Sequence, residues 1–268
     1  MVYGDGLENR CSRKRTVGSN PTSSAMYYMK TEPLLKALTA AGTGSRRKMA
    51  DAIQQNRVSV NDEVATDFRH LINVATDRIS IDGRAVNLSP EPAITLMLHK
   101  PKGVVSTVSD ERGRRKVTDL LPEKYRRLRL YPVGRLDQDS TGLLLVTNDG
   151  NLTYRLTHPR FKHEKEYLVH IEDSLTTGEK RRLERGLQLD DGLTQPAKVE
   201  KAAISPFNYR ITLHEGRKRQ VRRMFAHLSH RVLALKRIRV GNLVLGNLPE
   251  GKMRELSAQE GHALLNPD

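Results

Sequence analysis

Residues Gly134–Gly150 read GRLDQDSTGLLLVTNDG. An apolar run, Leu143 to Val146, has Arg-Leu-Asp just upstream and an Asn-Asp-Gly turn just downstream. The run has the length of a strand, and turn residues bound it on both sides. Gly134 permits tight backbone geometry ahead of it. Asp137 therefore sits in a polar loop between the strand-like RLYPV and the apolar run. An acid in such a place is most often a turn former or a helix cap. Whether it is more depends on its company.

Outward from this stretch, strands are expected at Ile94–His99, Leu143–Thr147, Glu166–Ile171 and Tyr209–Leu213. Helices are expected at Leu152–Leu156, Thr177–Gly186 and Lys218–Leu228. Few connections carry the long amphipathic helix that a parallel crossover needs. The expectation is an α+β domain on a mainly antiparallel sheet, residues 94–268. The LSPEP stretch, Leu88–Pro92, reads as a linker, placed at residues 89–93.

A smaller unit precedes it, residues 29–88. Thr31 is a plausible helix cap with Pro33 in the first turn, and Leu34, Leu35, Leu38 and Ala41 follow at helical spacing up to Gly42. Ser45 caps a second helix running to about Gln55. A strand at Arg57–Val60, a turn at Asn61-Asp62 and a strand at Arg78–Ile81 closed by Asp82-Gly83 complete it. The odd feature is GSRRKMA. Arg46, Arg47 and Lys48 stand in the first turn of the second helix, where cations oppose the helix dipole. An anion bound there would turn that cost into a gain, through free backbone N–H groups and guanidinium forks.

Lys and Arg outnumber Asp and Glu by 46 to 31 in 268 residues, a net charge of +15 that favours a polyanionic partner. Basic residues also bunch: Arg112–Arg129 holds eight cations against two acids, and EGRKRQVRRM (Glu215–Met224) holds five against one. Two such runs in one domain suggest a binding cleft. No run of 18 apolar residues occurs, so neither a membrane-spanning helix nor a membrane partner is expected. One cysteine, Cys11, leaves no disulfide framework and points to a reducing, cytoplasmic setting. His and Cys never cluster at zinc spacing, and neither a metal nor another cofactor is expected.

Residues 1–28 differ from the rest. They are rich in Ser, Gly and Asn, lack apolar periodicity, and are expected to be disordered. Gly18-Ser19-Asn20-Pro21 is what the codons GGT-TCG-AAT-CC specify, a string similar to the T-arm of a tRNA gene. The expectation is a mis-assigned start, with the body beginning at Met26 or Met29. The alternative is a genuine basic tail for RNA.

Two resemblances sharpen these readings. LLKALTAAGTGSRRKMADAIQQNRVSVND resembles the S-four type (alpha-L) RNA-binding domain, except that Asn61-Asp62 stands where that family usually has Asn-Gly. VGRLDQDSTGLLLVTNDG resembles the catalytic motif of the pseudouridine synthases, in the RsuA/RluB branch. The likeness extends through LHKPKGVVST, DERGRRKVTDLLP, RLTHPRFKHEKEYLV and EGRKRQVRRMFAHLSHRVLALKRIRVG.

The resemblance implies an enzyme that cleaves uracil from the sugar carbon 1′ of a uridine in RNA, rotates it and rejoins it through carbon 5. Asp137 falls on the family's essential aspartate, which either attacks the sugar or removes its 2′ proton. Desolvation drives a carboxylate towards protonation, so a cation is needed. Arg222, in RQVR, matches the family's basic partner for that aspartate. Tyr167 matches the tyrosine that stacks on the target base and is a candidate to take the carbon-5 proton; left to itself, a Tyr in an alternating strand is most often core. Arg135 matches the arginine that fills the gap left by the flipped nucleotide. Lys100 and Lys102 of HKPKG read as cations lining the cleft, and Arg217, Arg219 and Arg223 as RNA-binding members of the second basic run. Asp139 and Asp149 are assigned turn roles. Two departures stand out: Ser229, where relatives often carry Gly, and NLTYRL (Asn151–Leu156), where many have a small or acidic residue. The implied partner is ribosomal RNA, 23S ahead of 16S, free or in a pre-ribosomal particle, bound by a monomer. The competing readings are an RsuA-like 16S enzyme and a non-catalytic assembly factor.

Overall fold

A computed structural model describes residues 31–89 and 91–265. The leader and the start assigned to it lie outside the described residues.

The N-terminal part runs β1 (Thr31–Pro33), α1 (Leu34–Ala40), α2 (Arg46–Gln54), β2 (Val58–Val60), β3 (Glu63–Val64), β4 (Leu71–Asn73), β5 (Ile79–Ile81) and β6 (Arg84–Val86). Its own apolar cluster joins Leu34, Leu38, Ile53, Val58, Ile72 and Ile79, all nearly or wholly buried. Asn61, Asp62, Asp82 and Gly83 all take positive φ, so both expected turns are tight left-handed ones. Ser45 caps α2, accepting from the Lys48 amide at 3.0 Å. Thr31 is not a helix cap. It lies in β1, paired antiparallel with β4, and the first free amides of α1 reach loop carbonyls instead: Leu34 to His70 at 2.8 Å and Leu35 to Phe68 at 3.2 Å.

The larger part continues with β7 (Thr95–Lys100), β8 (Tyr131–Val133), β9 (Thr141–Thr147), α3 (Gly150–Thr157), β10 (Lys165–Ile171), α4 (Thr177–Arg185), β11 (Gln188–Leu189) and β12 (Gly192–Leu193). It closes with β13 (Lys198–Ile204), β14 (Phe207–Leu213), α5 (Gln220–His227), β15 (Val232–Val240), β16 (Leu243–Val244), β17 (Met253–Glu255) and α6 (Ala258–Leu265). Nine of these strands form one sheet, in the order β13-β14-β10-β15-β9-β7-β17, with β16 on β15 and β8 on β9. Every pairing in it is antiparallel except β9 with β15.

The apolar run of the opening stretch is explained by burial on both faces. Leu144 and Val146 enter one core cluster, with Leu96, Leu98, Tyr167 and Ile211. Leu143 and Leu145 enter the other, under α3 and α6. A strand covered on both sides needs no alternation. At the parallel junction the backbones nearly touch. A Cβ on Gly142, at φ +107, would stand 2.2 Å from the Arg237 carbonyl oxygen, so only glycine fits. The buried Arg237 side chain ties the same junction, its Nε donating to the Leu143 carbonyl at 2.8 Å.

Candidate active site

The loop from Gly134 to Ser140 links β8 to β9 and carries Arg135, Asp137 and Asp139. Gly134 turns the chain at φ +70. The loop is then held by the segment that follows β7. Ser106 Oγ donates to the Leu136 carbonyl (2.9 Å) and accepts from the Leu136 amide (3.1 Å). The Gly103 amide donates to the Gln138 carbonyl at 2.8 Å, and Gln138 Nε2 returns a bond to the Gly103 carbonyl at 3.1 Å. Leu136 points inward to the core. Asp137 and Arg135 are thus carried on backbone fixed from both sides, which is the preorganisation a reacting group needs.

Lys100 is part of that support and not of the cleft surface. It is wholly buried, with Nζ donating to the carbonyls of Pro101 (2.9 Å) and Ser140 (2.8 Å). The expectation that it lines the cleft is therefore corrected. It is the last residue of β7, on the side of Leu96 and Leu98, and the loop before β9 closes over its ammonium through the Ser140 carbonyl. Burial pushes its ammonium down to about 8, against the opposing pull of Asp139, Asp137 and Glu250.

Asp139 forms an ion-pair cluster with two arginines. Arg219 meets both its oxygens, at 3.1 and 3.2 Å. Arg222 Nη2 lies 3.3 Å from Asp139 Oδ2 and also donates to the Asp139 carbonyl at 3.1 Å, while its Nη1 donates to the Val232 carbonyl at 2.8 Å. Burial acts to raise the Asp139 carboxyl, but the Arg219 bond and the charges of both arginines outweigh it and hold it below its usual range. Asp137 itself is paired with Arg219, at 3.7 Å. Arg222 was expected as that partner. It instead fixes the loop through Asp139, because its terminal nitrogens are taken up by the Val232 carbonyl and by the carbonyl and carboxylate of Asp139. Asp139, expected as a turn residue, is the anchor of the cluster. Asp149 serves as the cap of α3, accepting from the amides of Asn151 and Leu152.

A cleft of about 580 Å³ opens beside this cluster, lined by Lys102, Asp139, Arg219, Arg222, His230 and Arg231 among others. That volume is within the range of small-ligand sites. Lys102 is exposed at its rim, and Arg135 is exposed on the loop. Tyr167 is 9 % exposed and packs in the main core cluster, between Ile211 and Arg237 on the neighbouring strands. Ser229, at the end of α5, has φ +66. The glycine of relatives suits that left-handed backbone better than serine does.

Two members of the second basic run are committed to the protein. Arg217 donates to the Gly192 carbonyl (2.9 Å) and to Glu215 (3.1 Å), and pairs with Asp191 at 3.3 Å. Arg223 pairs with Asp191 at 2.8 Å. The Arg223 bond, with Arg217 behind it, holds the Asp191 carboxyl down to about 2 despite some desolvation. Both arginines therefore clamp the β11–β12 hairpin, a structural task that the sequence reading did not foresee. Arg46, Arg47 and Lys48 are all exposed on the first turn of α2.

Sequence reasoning missed Ser106, Arg237 and the role of Asp139. Ser106 lay within the KPKGVVST segment, whose likeness to the family was noted without a task for the serine. Among the described residues no group of His, Cys, Asp and Glu is arranged to hold a metal ion.

Residues 94–227 match the family described as RNA pseudouridylate synthase. The chain is 38% identical over 236 residues, 85% of its own length and 93% of the relative's, to the ribosomal large subunit pseudouridine synthase B of Bacillus subtilis.

The chain belongs to the RNA pseudouridylate synthase family.

It is 39% identical to the protein of the same name from Vibrio cholerae, over 86% of this chain and 73% of that one. A crystal structure of a pseudouridylate synthase superimposes with a TM-score of 0.62 at 30% identity, covering 87% of this chain and 99% of the other. The protein is accordingly an enzyme that isomerises uridine to pseudouridine in RNA, built on a mixed α/β fold with a large, mostly antiparallel sheet.

Proposed function

We propose that this pseudouridine synthase acts on one uridine of large-subunit (23S) ribosomal RNA, as a cytoplasmic monomer. The observation that carries the site assignment is Asp137: a carboxylate on a rigid loop, next to an arginine-lined cleft, with Arg219 at 3.7 Å. In the proposed reaction the N1–C1′ bond of uridine breaks and a C5–C1′ bond forms. The C5 proton leaves to solvent and N1 gains a proton, so atoms balance without an added reactant. Asp137 acts at the sugar, and Tyr167 faces the base and accepts the C5 proton. Arg135 stands in for the base that leaves the stack, recovering part of a flipping cost of a few kcal/mol. Arg219 pairs with Asp137 at 3.7 Å, and Arg222 with Asp139 keeps the loop in place. The N-terminal part, with its own core and the exposed Arg46, Arg47 and Lys48, is read as an S-four-type module gripping phosphates.

The large-subunit assignment rests on the names of the two relatives above. It is tested by incubating the enzyme separately with 23S and 16S RNA labelled with tritium at carbon 5 of uridine. Tritium release from 23S RNA alone is expected. Release from 16S RNA alone would overturn the assignment in favour of the small-subunit branch, and release from neither would favour a binding protein.

A further inference from the structure

Several arginines of this domain are spent on protein carboxylates, among them Arg114, Arg217, Arg219, Arg223, Arg239 and Arg254, while others, Arg135 and Arg231 included, are not. The stretch from Asn151 to His163 belongs with the second group. It holds Arg155, Arg160 and Lys162 and no acid. All three are exposed, and among the described residues none meets a carboxylate at ion-pair distance.

Aromatic rings gather at the same place, although the chain has only four Phe, eight Tyr and no Trp. Tyr154, on α3, and His158, just past its end, lie 4.9 Å between ring centroids. Phe161, in the single turn Pro159–Phe161, meets Tyr154 edge-on at 5.9 Å. The Arg160 guanidinium sits over both, 4.5 Å from the Phe161 centroid and 5.1 Å from that of Tyr154. His158 is fixed by its own cap, Nδ1 accepting from the Arg160 amide at 3.2 Å. Tyr125, Tyr167, Tyr209 and Phe225 are buried, whereas Tyr154 is 45 % exposed. A ring that stays in water while carrying a guanidinium does not serve a core.

The patch adjoins the catalytic loop. Thr157 Cγ2, at the end of α3, lies 3.6 Å from where a Cβ on Gly134 would stand, and Arg135 follows Gly134. From the patch the chain enters β10, which carries Tyr167.

We propose that the end of α3 and the turn after it form a stacking platform for single-stranded nucleotides of the substrate RNA that flank the target uridine. This rests on the RNA reading of the site and adds a second place where bases are held. Rings and a stacked guanidinium take bases of any identity through their faces, and unneutralised cations take the phosphates between them. The platform would hold the strand once the target base has left the stack beside Arg135.

The test uses the full chain and a single-stranded oligouridylate dodecamer carrying one 2-aminopurine, followed by anisotropy and by quenching of the 2-aminopurine. Tyr154→Leu, which keeps apolar bulk for the turn, should weaken binding about tenfold, the size of one lost stacked base. It should also relieve quenching and leave the salt slope unchanged. Tyr154→Phe should restore both affinity and quenching. Arg160→Gln should lower the slope of log affinity against log salt by about 0.7, one single-strand phosphate contact. Tyr154→Leu binding within twofold of wild type would overturn the platform, whatever Arg160→Gln does, and would leave the rings as a local staple of the turn. Thermal melting of each variant shows whether the fold is kept. These readouts do not depend on turnover, so a wild-type enzyme that modifies no ribosomal RNA would sink the functional reading and leave the platform to be judged on its own.

Discussion

Arg219 and Arg222 stand three residues apart on the same ion-pair cluster, and the structure assigns them different work. Arg222 is the buried one, its side chain 11 % exposed against 44 % for Arg219. Replacing it by methionine keeps the stem and removes the donors to the Val232 and Asp139 carbonyls. Each orphaned acceptor costs about 1–3 kcal/mol. Asp139 keeps Arg219 and part of its hydration, so Arg222→Met should cost about 2–4 kcal/mol in all, near the lower end for breaking a buried pair. Arg219→Met breaks an exposed pair and should cost less than about 1 kcal/mol. For chemistry the order reverses in kind. Arg219 is the cation nearest Asp137, at 3.7 Å. Between water and the protein surface that attraction is worth about 1–4 kcal/mol, so its loss should slow the chemical step about tenfold or more with the fold intact. Urea unfolding followed by circular dichroism gives the stabilities, and single-turnover tritium release on folded protein gives the rates. If Arg222→Met unfolds at the wild-type midpoint, or Arg219→Met is the less stable of the two, the division of labour is wrong.

Asp137→Asn preserves turn chemistry but not charge, so isomer formation should be lost while RNA affinity stays within several-fold; a near wild-type rate of tritium release would reduce Asp137 to a turn residue. Tyr167→Phe should change stability by no more than about 0.5 kcal/mol, because the hydroxyl has no hydrogen-bond partner among the described residues, yet it should lower the rate if that hydroxyl takes the C5 proton. Arg46→Ala with Arg47→Ala should flatten the salt dependence of RNA binding by about two phosphate contacts, and an unchanged slope would make them a solvated helix end. Lys100 supplies a pH test. Its ammonium falls from 10.5 in the unfolded chain to about 8 in the fold, so between those values the unfolded state holds the extra proton and stability rises with pH. Carrying that charge at pH 7 costs roughly 3 kcal/mol, and because burial lowers Lys165 to about 8 as well, the rise between pH 8 and 10.5 should be roughly halved in Lys100→Met when urea midpoints are compared.

Much of the architecture could be read without coordinates, because the relevant signals span only a few residues. The run Leu143–Val146 between turn residues marked a strand, Ser45 marked a helix start, and Asn61-Asp62 and Asp82-Gly83 marked left-handed turns. The sequence alone also determined the family, through motifs whose order survives along most of the chain, and with it the position of Asp137. Length and polarity could not show that Leu143–Val146 is buried on both faces, nor that β9 meets β15 in the one parallel pairing of the sheet. That junction depends on Gly142 and Arg237, which are 95 positions apart.

The partners of charged groups were decided by tertiary structure alone. Lys100 and Lys102 look alike in HKPKG, but the strand ends at Lys100, whose ammonium goes under the loop to the Pro101 and Ser140 carbonyls, while Lys102, in the turn beyond, stays on the rim. In EGRKRQVRRM the five cations are equivalent by composition. Helix phase and the path of the β11–β12 hairpin divide them, giving Arg217 and Arg223 to Asp191 and giving Arg219 and Arg222 to Asp139, the last two across about 80 residues. A charge can be read from one residue, but its partner depends on which distant backbone folds against it.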